Sequence, residues 1–168
     1  MDATSSVNEP IANQEDIKER LDGTIKGKVV ILGIGNDLRG DDGFGSILVK
    51  GLKGRVRGTV FDGGRAPENY IGKIIREKPD TILIVDALDM GGKPGEMVVW
   101  EPKRLRKGEF STHHLSLSLL ASMIQSETGA KLFIIGVQPA RIKLGEGLSP
   151  PVERALEKLK ATLEEILA

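Results

Sequence analysis

The chain is 168 residues long, has no cysteine, and balances 24 basic side chains against 24 acidic ones. That length fits one domain, which can bury roughly 70% of its unfolded surface without a disulfide or structural metal. Cysteine nucleophiles and thiolate metal sites are excluded, in keeping with a reducing, cytoplasmic setting. The even charge argues against nucleic acid as a partner, and no stretch approaches the ~20 apolar residues of a membrane span or forms a signal peptide, so no membrane insertion is expected.

Residues 1–26 read as a flexible extension: polar and irregular to about residue 13, then a short helix over Gln14–Leu21 with Ile17 and Leu21 on one face. Residues 27–168 read as one α/β domain. Lys28–Ile34 is a buried strand that ends in a turn rich in glycine and aspartate, and Phe44–Leu52 is a helix with Phe44, Ile47 and Leu48 inward. Thr59–Asp62 is a short strand. Pro67–Glu77 is a helix with proline suited to its first turn. Thr81–Ala87 is almost wholly apolar and β-branched, as in a central strand covered on both faces. Gly91–Gly95 is a turn into Glu96–Trp100, an edge strand expected to run antiparallel. Glu101–Phe110 is a basic loop, Thr112–Gln125 a leucine-rich helix, and Lys131–Val137 another buried strand. After an irregular loop over 138–151, Val152, Leu156, Leu159, Leu163 and Leu167 mark a closing amphipathic helix. Strands alternating with helices imply a doubly wound three-layer α/β/α sandwich around a mostly parallel sheet.

In such a fold, chemistry gathers outside the carboxyl ends of the strands. The polar residues expected there are Asn36, Asp37, Asp41 and Asp42 after the first strand, Asp62 before Gly63-Gly64, Asp86 and Asp89 after the third, Thr112-His113-His114 at a helix start, and Gln138 after the last parallel strand. Asp42, Asp62 and one histidine are donor types that suit nickel, zinc or cobalt better than calcium. A histidine in a first helical turn is kept neutral by the helix dipole, the form that binds metal. Adjacent histidines point about 100° apart on a helix, so only one of the pair serves. Simpler roles stand beside these: Asp41 or Asp42 as a helix cap, Asp62 as a turn residue, Asp86 as an acceptor for loop N–H groups. A dinucleotide site is disfavoured because Leu38 replaces the third glycine of its fingerprint and the acids would face a pyrophosphate. A Walker loop is absent too, so no organic cofactor is expected.

The block Gly33-Ile-Gly-Asn-Asp-Leu-Arg-Gly-Asp-Asp-Gly-Phe-Gly45 resembles the signature of the [NiFe]-hydrogenase maturation proteases. So do Asp62-Gly63-Gly64, Asp86-Ala87, Ser111-Thr-His113-His-Leu115 and Gly136-Val-Gln-Pro139, in the same order from about Lys28 onward. The resemblance implies the sandwich fold and an endopeptidase that removes a C-terminal peptide from the large-subunit precursor of a [NiFe]-hydrogenase after nickel insertion. It places the metal-sensing and catalytic residues on Asp42, Asp62 and His113, with nickel supplied by the substrate. Asp41 is an alternative general base. His113 is preferred to His114, which falls where many relatives carry Gln. A non-catalytic, nickel-dependent assembly factor is the alternative function. Neither Ser111 nor Ser116 sits in the glycine-flanked elbow of a serine hydrolase.

Overall fold

The computed structural model describes residues 14–102 and 112–168, with side chains described from 16 to 102 and from 116 onward. The expected N-terminal segment before residue 14 and the basic loop over 103–111 lie outside the described residues.

Five strands form one sheet: β1 (Val29–Ile34), β2 (Thr59–Gly64), β3 (Thr81–Ala87), β4 (Met97–Trp100) and β5 (Lys131–Val137), in the order β2-β1-β3-β5-β4. The first four in that order are parallel, and β4 runs antiparallel to β5 at the edge. The helices are α1 (Gln14–Asp22), α2 (Phe44–Leu52), α3 (Ile71–Glu77), α4 (Thr112–Thr128) and α5 (Pro150–Ile166). The expected sandwich is therefore the observed one.

The two faces of the sheet carry separate cores. Ile31, Leu83, Val85 and Ile135 pack with Ile17 of α1, Phe44 and Leu48 of α2, and Leu159 and Leu163 of α5. Val30, Leu32, Ile82, Ile84 and Ile134 pack with Ile74 of α3 and Leu117, Ala121 and Ile124 of α4. Strict alternation along each strand divides its side chains between these layers. Among the described residues, no helix is long and apolar enough to cross a membrane.

Several boundaries differ from the sequence reading. The expected helix over 67–77 is a 3₁₀ turn (Pro67–Tyr70) followed by α3, because Tyr70 relaxes to φ −101°, ψ −4° where the turn widens. The Asp-Gly turn also tightens into a 3₁₀ turn, Gly40–Gly43, directly before α2. β2 extends through Gly64, with an irregularity that shifts the register from Gly33 opposite Asp62 to Ile34 opposite Gly64. α1 is not an appendage: Ile17 and Leu21 are buried in the α2/α5 core, and Lys18 reaches Glu165 of α5 at 2.7 Å. The division expected at residue 26 is thus not a packing boundary.

Candidate active site

The carboxyl edge of the parallel strands is organised by the link from β1 to α2. Gly35 adopts φ +146°, a conformation closed to L side chains, and a Cβ there would strike the carbonyl oxygen of Asp42. Its N–H donates to Gly64 O at 2.9 Å, and the next N–H, of Asn36, donates to Asp42 O at 3.0 Å. One dipeptide therefore ties the end of β2 to the 3₁₀ turn. Both N–H groups are spent inside the chain. α2 then begins so close to the sheet that a Cβ on Gly45 would meet Val85 O and Ile34 O. The 3₁₀ turn bearing Asp41 and Asp42 consequently packs against β3.

The acids expected near this edge have different surroundings. Asp41 is 0% exposed. Its Oδ1 accepts from Ser149 N (2.7 Å), and its Oδ2 accepts from Ala140 N (2.8 Å), Ser149 Oγ (2.8 Å) and Arg141 N (3.0 Å). Burial pushes its pKa up, but the donors from Ser149, Arg141 and Ala140 prevail and hold it below the ordinary carboxylate value. A carboxylate that accepts four hydrogen bonds is an anchor, not a proton shuttle. The general-base expectation for Asp41 does not fit this environment, and neither does the cap, since the adjoining helical turns have no side-chain cap.

Asp42 is half-buried, and no hydrogen bond or ion pair to its carboxylate is found among the described residues. Asp62 is held firmly. Its Oδ1 accepts from Ser46 Oγ at 2.7 Å and Gly64 N at 3.1 Å, and its Oδ2 lies 3.7 Å from Lys50 Nζ. Lys50 also pairs with Asp37 at 2.6 Å, and that hydrogen bond raises the lysine pKa. Ser46 and Lys50 are one turn apart on α2, so Asp62 faces the α2 side of the sheet. Strand alternation agrees: Val60, two residues earlier, packs with the α2/α5 core.

Asp86 faces the other way. Ile82 and Ile84 precede it at even spacing in the α3/α4 core. It is 1% exposed and lines a cleft of 440 Å³ between the Pro67–Ile71 segment and α4, with Ser116 and Leu117 opposite and Arg65 and Glu68 also lining it. His113 belongs to the first turn of α4, three and four residues before those two lining residues, so its backbone lies on the Asp86 side. The side chains of His113 and His114 lie outside the described residues. The Gly35-Asn36 link brings the turn bearing Asp42 to the end of β2, where Asp62 stands. Among the described residues no group of three His, Cys, Asp or Glu is placed to hold a metal ion.

Asp86, expected as an acceptor for loop N–H groups, is a buried acid lining this cleft. Gln138 proves to be a clamp: Oε1 accepts from Met90 N (2.7 Å) and Gly92 N (3.1 Å), and Nε2 donates to Asp89 Oδ1 (3.1 Å). It fixes the β3–β4 loop beside the cleft.

Comparison with known proteins follows the geometry. A family model described as hydrogenase maturation protease (HycI) matches residues 48–166. The hydrogenase 3 maturation protease of Escherichia coli K12 is 35% identical over 138 residues, covering 80% of this chain and 88% of that protein. A putative hydrogenase maturation protease of Methanocaldococcus jannaschii is 32% identical over 151 residues, covering 83% and 88%. The crystal structure of a [NiFe] hydrogenase maturation protease HycI from Thermococcus kodakarensis superposes with a TM-score of 0.81 at 38% identity, covering 88% of this chain and 98% of that one. The solution structure of an endopeptidase HycI from Escherichia coli gives 0.73 at 32% identity, covering 83% and 90%.

Proposed function

The chain belongs to the hydrogenase maturation protease family, and from that premise we propose that it removes the C-terminal peptide from the large-subunit precursor of a [NiFe]-hydrogenase once nickel is in place. Membership makes it a peptidase, a hydrolase of peptide bonds. The observation that supports the finer reading is that Asp42, whose carboxylate has no partner among the described residues, stands on a turn joined through the Gly35-Asn36 link to the end of β2, where Asp62 is held.

Asp42, Asp62 and His113 are the residues we assign to sensing nickel that arrives with the precursor. Two carboxylates and an imidazole, without thiolate, form an incomplete and weak nickel site on their own, so the substrate must bring further ligands. Selectivity for the loaded precursor follows directly. Substrate-held nickel supplies Lewis acidity at the scissile peptide. The chain's part is to grip that ion from one side and hold the peptide still. Asp62 is held by Ser46 and Lys50 of α2, the helix that follows the turn carrying Asp42.

The test is processing of nickel-loaded precursor, read by intact mass. Asp42→Asn, Asp62→Asn and His113→Gln should each slow trimming by about 100-fold or more, and Asp86→Asn by about 10-fold. Nickel-free precursor should remain uncut. Abolition by Asp86→Asn with full activity in Asp62→Asn would put Asp86 in the place of Asp62. A stable complex with no loss of mass would make the chain an assembly factor without hydrolytic power.

A further inference from the structure

Beside the rim, two loops distant in sequence are stitched together and hold apolar side chains out in solvent. Leu38 is 65% exposed, Leu144 75% and Ile142 45%. Single exposed leucines are ordinary. These are not loose, however. Gly145 N donates to Leu38 O (2.8 Å), Gly40 N to Glu146 O (2.9 Å) and Asp41 N to Arg141 O (2.9 Å), and Arg39 forms an antiparallel bridge with Leu144. The Asp41 carboxylate fastens the same two loops from below. With both loops fixed, the leucines cannot fold down to cover themselves. Between them lies a hollow of 430 Å³ lined by Asp37, Leu38, Leu144 and the Gly145–Gly147 segment.

We propose that this double loop is the docking surface for the folded body of the substrate protein, whose matching face is apolar and flanked by carboxylates. The inference rests on the reading of the chain as a peptidase for a protein precursor. Such a substrate must lie over the catalytic rim, and Leu38 stands four residues before Asp42, so the surface is continuous with the interface that cleavage requires. Charge then narrows the partner. The acids of the patch are neutralised within the chain, Asp37 by Lys50 at 2.6 Å and Glu146 by Arg141 at 3.2 Å. Arg39 and Lys143 are exposed and have no ion pair among the described residues. The patch therefore offers leucines and two uncommitted cations.

The experiment uses the full chain and nickel-loaded large-subunit precursor from the same genome. Leu38→Glu/Leu144→Glu should keep the wild-type circular dichroism and Tm, since both side chains are exposed. It should raise Kd for the precursor, and KM for processing, by about tenfold or more, with kcat within about twofold. Arg39→Glu/Lys143→Glu should slow association and remove most of its salt dependence. An unchanged Kd in the leucine variant overturns the proposal while leaving the protease reading intact. Binding without cleavage by the wild type, lost in the leucine variant, sustains the surface and sinks the catalytic reading. A wild type that neither binds nor cleaves sinks both. Self-association of the wild type in the ultracentrifuge, abolished by the leucine variant with precursor Kd unmoved, would assign the patch to a second copy instead.

Discussion

At the scale of single residues, neighbouring acids do opposite work. Asp41 and Asp42 are adjacent, yet one is buried under four donors and the other is left without a partner among the described residues. Asp41→Asn would keep one acceptor but aim an NH₂ at N–H groups, so it should cost about 2–4 kcal/mol in urea denaturation at pH 7. The folded-state pKa of Asp41 is depressed. Its contribution to stability is therefore present above the unfolded-state value and is lost as pH falls through the lower folded value. Urea midpoints measured from pH 5 down to pH 2 should fall less steeply in Asp41→Asn than in wild type.

At the scale of elements, the start of α2 is set by contact with backbone. A methyl group on Gly45 would collide with the carbonyls of Val85 and Ile34, neither of which can step aside. Gly45→Ala should destabilise by about 3 kcal/mol or more, seen as a lower denaturation midpoint, and should displace Asp42 and slow processing. α1 yields the contrasting prediction: Leu21→Ala, a cavity in the α2/α5 core, should cost about 2–5 kcal/mol with kcat little changed. The elements themselves were legible because apolar β-branched runs, glycine turns and the leucine spacing of α5 each have one good reading. The direction of the site acids was not. β1 and β3 are buried on both faces, so their sequences carry no polar alternation to say which face Asp86 views. The pairing shift at Gly33/Ile34 and the Ser46–Asp62 hydrogen bond likewise depend on tertiary placement, not on local pattern. Hence the elements that build the edge could be read from the sequence, whereas the face each acid views could not.

At the scale of the whole molecule, one sheet divides two cores that share no side chain but share every strand. Trp100, the single tryptophan, reports on the α3/α4 half, whereas helical dichroism samples both halves. Because the strands are common property, the two halves should melt together. Tryptophan fluorescence and far-ultraviolet dichroism should give coincident urea transitions, and separated midpoints would show that the layers unfold independently.

The Asp41 anchor also sets an order in time. Its closing donors come from Ser149, 108 residues later in the chain, and that serine gives its hydroxyl to Asp41 while leaving its own helix, α5, without a side-chain cap. A nascent polypeptide still on the ribosome, halted anywhere before that serine, cannot lock the rim that bears Asp42. The rim that bears Asp42 is thus locked only after that serine has been made.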